Sequence, residues 1–174
     1  MDKKKEVLHT ERLVLKGYEE KDTETMVELL TNEEIKKTFM IPDFENKKQA
    51  EDLFHKIRQF CEMEEHFEYG IFFEERLIGF VNDCGIDGTR IEIGYVISPQ
   101  YKGRGFATEA VKACIEELFR MGFEHIQAGF FEENVASRRV MEKSGMHLID
   151  FEEQIEYQGK MHRCLFYEID KEEN

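Results

Sequence analysis

The stretch Gln100-Tyr101-Lys102-Gly103-Arg104-Gly105-Phe106-Ala107-Thr108 constrains the fold more than any other part of the chain. Before it runs Ile91-Glu92-Ile93-Gly94-Tyr95-Val96-Ile97, an apolar, β-branched segment that Ser98-Pro99 stops. After it, an amphipathic helical pattern runs from about Phe106 to Met121. A strand, a glycine turn and a helix N-terminus in succession make an anion site. Two glycines let the backbone approach a ligand with no Cβ in the way. The first N–H groups of the helix lack internal acceptors, and the macrodipole adds roughly half a positive charge there. The turn therefore predicts a bound phosphate or pyrophosphate.

At 174 residues the chain reads as one domain over 1–174, large enough to bury a core, with charged tails at 1–7 and 171–174 expected to fray. The formal net charge of −14 argues against non-specific binding to nucleic acid or to an anionic membrane. It favours cationic partners, amines among them, or serves solubility alone. No apolar run approaches the ~18 residues of a membrane span, and no signal-peptide core follows Met-Asp-Lys-Lys-Lys-Glu. Cys61, Cys84, Cys114 and Cys164 are far apart, and the six histidines are scattered singly. That spacing gives no zinc site and no metal, and it fits reduced thiols in a cytoplasmic protein.

Periodicity supplies the frame. Glu11–Lys16 alternates around Leu13 and Leu15 as a first strand. Asp22 caps a short helix carrying Met26, Leu29 and Leu30, and Thr31-Asn32-Glu33-Glu34 has capping-box form. An apolar loop over 39–44 precedes a longer helix capped by Asn46, with Ala50, Leu53, Phe54, Ile57, Phe60 and Cys61 on one face. Tyr69, Ile71 and Phe73 alternate in a strand, and Leu77–Val81 continues as its hairpin partner. The helix after the glycine turn stops at Gly122; His125–Phe131 is a strand; Asn134 caps a helix that ends at Gly145. A last hairpin runs from about His147 to Tyr157 and Met161 to Ile169. The order β-α-α-β-β-β-α-β-α-β-β predicts an α/β (α+β) fold: a mixed sheet with helices on both faces.

A dinucleotide fold is one reading of the turn, but its third glycine position holds Thr108, and three or more strands precede it. A P-loop is excluded, because no G-x-x-x-x-G-K-[ST] occurs. The segment Asn134-Val135-Ala136-Ser137-Arg138-Arg139-Val140-Met141-Glu142-Lys143-Ser144-Gly145-Met146 decides between the readings. Its N-x-x-S…E-K-x-G pattern, about thirty residues after Gln-x-x-Gly-x-Gly, resembles the GCN5-related N-acetyltransferase (GNAT) superfamily. Thr10-Glu11-Arg12-Leu13-Val14-Leu15 and Glu92-Ile93-Gly94-Tyr95 look like the opening and central strands of its branch acting on ribosomal-protein N-termini. Met146 departs from that pattern, where Phe is usual; it is a packing position.

The resemblance implies a mostly antiparallel sheet of six to seven strands with a splayed central pair. It implies transfer of acetyl from acetyl-CoA to a primary amine, directly within a ternary complex, by a monomer or homodimer. Backbone amides from Lys102 through Gly103, Arg104, Gly105, Phe106 and Ala107 to Thr108 would hold the CoA pyrophosphate, with Lys102 and Arg104 adding charge-assisted contacts or remaining solvated turn cations. Backbone near Tyr95, Val96 and Ile97 would pair with the pantetheine arm and face the thioester oxygen. Asn134 would bond the pantetheine amide, and Lys143 belongs to the same cofactor segment. The acceptor amine must lose a proton, for which Glu92 is the first candidate base and Glu156 the second; a structural ion pair for Glu92 and an exposed turn acid for Glu156 are the competing readings. Ser137, or Tyr95, is placed to protonate the leaving thiolate. The acceptor pocket falls to Thr38–Phe44 and the region 157–162. A non-catalytic acyl-CoA-binding module on the same fold is the main alternative, and a dinucleotide-dependent oxidoreductase a weaker one.

Overall fold

The computed structural model describes residues 5–172. One sheet of eight strands organises them: β1 (Leu8–His9), β2 (Leu13–Lys16), β3 (Glu68–Phe73), β4 (Arg76–Asp87), β5 (Arg90–Ile97), β6 (His125–Phe131), β7 (His147–Tyr157) and β8 (Lys160–Asp170), in spatial order β1-β2-β3-β4-β5-β6-β8-β7. Every neighbouring pair is antiparallel except β5 and β6. The sheet is one strand larger than expected from the sequence. The addition is β1, two residues pairing Leu8 with Leu15 and His9 with Val14, too short to show alternation. Before it, Tyr69 Oη donates to Glu6 O at 2.8 Å, and Lys5 Nζ donates to Phe60 O at 3.0 Å. Lys171 N likewise donates to Glu124 O at 2.8 Å, and the rest of both expected tails, 1–4 and 173–174, lies outside the described residues.

Five helices cover the sheet: α1 (Thr23–Leu30), α2 (Glu33–Lys36), α3 (Lys47–Glu62), α4 (Phe106–Met121) and α5 (Val135–Lys143). α4 lies on one face, where Ala110, Val111, Cys114 and Leu118 pack with Leu13, Leu15, Ile71, Ile91 and Ile93. α1, α2 and α3 cover the other face, where Met26, Leu29, Ile35 and Phe54 meet Phe72, Phe80 and Val96. Period-2 geometry thus sends Ile91, Ile93, Tyr95 and Ile97 toward α4, and Glu92, Gly94 and Val96 to the opposite face.

Caps set the helix starts. The Asn46 side chain accepts from Gln49 N–H, as the pattern predicts. The Thr31 box is shifted by one residue: Asn32 is the cap and accepts from Glu34 and Ile35 N–H. Asp22 does not cap α1; its carboxylate accepts from Glu19 N–H and closes the preceding 3-10 turn. Beneath α3, Glu68 is buried at 6% exposure and accepts from Tyr18 Oη at 2.7 Å.

The parallel pair positions the site. Arg90, Ile91 and Glu92 pair with His125, Ile126 and Gln127, and the ladder stops there. From Ile93 onward β5 and β6 diverge, so the sheet has an opening at its centre.

Candidate active site

A cleft of about 370 Å³ enters this opening. Its lining comes from the free edge of β5 (Gly94–Ile97), the turn and first residues of α4, Gly129 and Phe130 of β6, the inner side of α5, Ile35 of α2, and Thr38 and Phe39 just after it. The sequence-predicted residues Tyr95, Val96, Ile97, Lys102, Gly103, Gly105, Phe106, Ala107, Thr108, Asn134, Ser137 and Lys143 all line it.

The turn has the geometry its glycines imply. Gly103 and Gly105 hold φ of +74° and +79°, a region that costs an L-residue steric strain, and a Cβ on Gly103 would project into open space. Gly105 occupies the N-cap of α4 with no side-chain cap, so the Phe106, Ala107 and Thr108 amides keep their hydrogen-bonding capacity for a ligand. Lys102, Arg139 and Lys143 add positive charge, and among the described residues no acid lines the cleft. In a chain with 38 acidic and 24 basic side chains, that acid-free lining is selective for anions. It fits a diphosphate on the amides with cations alongside. Arg139 escapes the turn-based reading of the sequence, although it stands one helical turn before Lys143 and shares its face.

Arg104 follows the second of its two readings, a turn cation. Its residue lies between two left-handed glycines, and its guanidinium turns outward over the rings of Phe106, Phe73 and Tyr101, with centroid distances of 4.8, 5.1 and 6.0 Å. It does not line the cleft. Lys102 lines it, and its Nζ pairs with Glu34 Oε1 at 2.8 Å, tying the turn to α2.

A buttress behind the turn was not legible as such. Glu109, in the first turn of α4, accepts from Thr10 Oγ1 at 2.6 Å, Arg12 N at 2.8 Å and Arg12 Nε at 2.8 Å. Arg12 Nη1 also donates to Arg104 O at 2.9 Å, and its guanidinium lies 4.4 Å from the Phe106 ring centre. Burial pushes the Glu109 carboxyl up, but the bonds from Thr10 and Arg12 and the Arg12 charge outweigh it and hold the group below the ordinary carboxylate range. The opening strand is thereby bolted to the anion turn.

At the α5 side, Asn134 Oδ1 caps the helix by accepting from Ser137 N at 3.2 Å, leaving its Nδ2 as a donor toward the cleft. Tyr95 Oη lies 2.9 Å from Ser137 Oγ and 3.0 Å from Ser137 O. Burial raises the Tyr95 phenol above its ordinary value, so it stays protonated.

The two candidate bases lie apart from this lining. Glu92 is half-buried on the opposite face of β5, with no hydrogen-bonding or ionic partner among the described residues. Burial, and then the neighbouring Glu153, raise its carboxyl above the ordinary range. The expected cover on both faces is only partial there, since Glu92 is half-buried. Glu156 is exposed near the tip of the last hairpin and lines no part of the cleft. On the same face as Glu92, Asn82 Oδ1 is buried without a partner, 3.1 Å from where a Gly94 Cβ would stand. The expected acceptor segments do meet: Tyr157 Oη contacts the backbone at Lys36, Phe39 and Ile41.

The fold also gathers His125, Glu168 and Asp170 at the far end of β6, a grouping that single histidines in the sequence did not announce. Arg90 already pairs with Glu168, and His125 Nδ1 lies 2.6 Å from Asp170 Oδ1.

The strand splay, the amide-lined turn and the acid-free lining define a coenzyme A-type acyl-donor site. A family model described as an acetyltransferase (GNAT) domain matches residues 12–147, and the chain belongs to this family. It is similar to the uncharacterized N-acetyltransferase YoaA of Bacillus subtilis (strain 168), 28% identical over 146 residues covering 80% of this chain and 81% of the relative. Among solved structures it superposes on a GNAT-family acetyltransferase from Bacillus anthracis with a TM-score of 0.82 and 25% identity, covering 95% and 98% of the two chains. It shares the fold of the ribosomal L7/L12 α-N-protein acetyltransferase RimL in complex with coenzyme A (TM-score 0.85, 17% identity, 95% and 98% covered). Membership of this family makes the protein an acyltransferase.

Proposed function

We propose that this chain transfers acetyl from acetyl-CoA to a primary amine, on a protein N-terminus or a small molecule, by direct attack within a ternary complex. The observation that carries the reading is the acid-free, amide-lined cleft opening into the splayed centre of the sheet of a strongly acidic chain. The bound thioester supplies an acetyl group already activated toward amines. Amides from Gly103 to Thr108 hold the diphosphate, with Lys102, Arg139 and Lys143 as counter-charges. The unpaired edge of β5 at Tyr95–Ile97 holds the donor's amide-bearing arm as a further strand, and an N–H there stabilises the developing oxyanion.

Ser137 Oγ and Tyr95 Oη form a proton-donating pair for the departing thiolate. Glu92 takes a proton from the bound acceptor ammonium through water, freeing the lone pair with which the neutral amine attacks; its raised carboxyl and missing partner support this role. Glu156 is the weaker candidate on account of its exposure. The fold likeness to RimL, named for acetylating a ribosomal protein's α-amine, makes peptide N-termini the first acceptors to try.

Thiol release from acetyl-CoA should be measured with N-terminal peptides, polyamines, aminoglycosides and amino acids. Release above acetyl-CoA hydrolysis with at least one amine supports the proposal. Donor binding by calorimetry with no release from any of them overturns it and leaves an acyl-CoA-binding module.

A further inference from the structure

Tyr157 ends β7, at the tip of the last hairpin. Its hydroxyl lies 2.6 Å from Lys36 O and 3.1 Å from Phe39 O, and Ile41 N–H points to it at 3.4 Å. A phenol carries one proton and two acceptor sites, so this group shares its proton between two carbonyls and accepts from one amide. More than a hundred residues of chain separate the partners. The hydroxyl thus clamps the backbone of 36–41 to the hairpin.

That backbone carries Phe39. The Phe39 ring packs edge-on against Phe80 at 5.6 Å and covers Gly94, where an added Cβ would stand 3.0 Å from Phe39 Cε2, 3.0 Å from Cys84 Sγ and 3.1 Å from Asn82 Oδ1. A space in which one added methyl group would press on three neighbours is tightly packed at the point where β5 leaves β6. Phe39 also lines the cleft itself, with Ile35 and Thr38. An acceptor reaching the splay from the Glu92 face passes this ring.

We infer that Tyr157 is a positioning residue and Phe39 a specificity residue for the acceptor: the phenol clamp fixes the ring over Gly94 and so sets the width of acceptor entry. This rests on the amine-acceptor reading above. Tyr157 lies outside the cleft lining, so donor affinity separates the clamp from the donor site; Phe39 lines the cleft, and its effect is read from the ratio between amines, in which donor binding cancels.

The test compares wild type, Tyr157→Phe and Phe39→Ala. Tyr157→Phe keeps the ring against Phe131 and His162 and removes only the hydroxyl. Hydrogen exchange at the Ile41 amide should quicken. Acetyl-CoA affinity by calorimetry should stay within about twofold. With primary amines of graded bulk, the acceptor KM should rise about threefold to tenfold at little cost in kcat, the worth of one neutral hydrogen bond. Phe39→Ala should shift the ratio of kcat/KM toward the bulkier amines. Faster exchange at Ile41 with unchanged acceptor KM and unchanged size selectivity overturns the inference and leaves the clamp merely structural. Unchanged exchange overturns it too. Wild type inactive with every amine is a separate result that removes the amine-acceptor reading itself.

Discussion

Glu68 gives the sharpest quantitative test of the electrostatics beneath α3. Its carboxyl is buried at 6% exposure. Burial pushes its pKa up to about 8 from an ordinary 4.5; the Tyr18 bond draws it down, Asp83 pushes it up again, and Lys5 draws it down. The folded protein therefore keeps a proton that the unfolded chain releases near pH 4.5. Its contribution to stability is full below that pH and is lost as the pH rises toward 8. Within the window each pH unit removes about 1.4 kcal/mol, so at pH 7 the loss relative to pH 4.5 is about 3 kcal/mol. Glu68→Gln keeps the shape and an acceptor for Tyr18 but cannot ionise. Its stability advantage over wild type should grow steadily between about pH 5.5 and 7.5 and level off above the folded pKa. Urea unfolding followed by circular dichroism suits a chain without tryptophan. Parallel stability curves for the two proteins across that range would refute the reasoning, because they would mean that Glu68 does not hold its proton on folding.

Three further expectations concern the site. Glu92→Gln should lower kcat with acetyl-CoA affinity unchanged. In wild type kcat/KM should climb with pH through a value above the ordinary carboxylate range, since a base works only when deprotonated, and a pH–rate profile shows whether the substitution flattens that limb. Glu109→Ala should weaken acetyl-CoA binding by about tenfold although the side chain lies outside the cleft, because roughly 1.5 to 3 kcal/mol of charged hydrogen bonding behind the turn is lost; calorimetry on Glu109→Ala, Arg12→Ala and the double variant should show non-additive effects. Arg104→Ala should leave donor affinity nearly unchanged, whereas Arg139→Ala and Lys143→Ala should weaken it in a salt-dependent way, and titrations at two ionic strengths separate them.

What the sequence showed was local. Gly103 and Gly105, the Asn134 cap and the α3 stripe declare themselves within a dozen residues, because a turn conformation, a cap and a helical period are short-range properties. The family pattern added the splay and the donor. The Arg104 side chain takes the turn-cation alternative, over the rings of Phe73, Tyr101 and Phe106, and which alternative it takes depends on where those rings lie in the fold. The Arg12–Glu109 buttress and the Tyr157 clamp join residues 97 and 116 or more apart; each half reads as an ordinary surface polar group until the sheet order brings them together. Glu92 was legible as an uncompensated acid, but its partial exposure depends on tertiary packing that the residue string does not carry.

The divergence of β5 from β6 has a further consequence for the protein as an object in a cell. A sheet that parts at its centre carries an internal edge, with backbone groups on Gly94–Ile97 that no neighbouring strand satisfies. A donor lying along that edge supplies the missing rungs, so cosubstrate and fold share one ladder. At a hundred times its dissociation constant, such a ligand adds about 2.7 kcal/mol to folding stability. On the proposed reading the durability of the fold would follow the total coenzyme A supply, acetylated or free, because the arm that fills the ladder is the same in both.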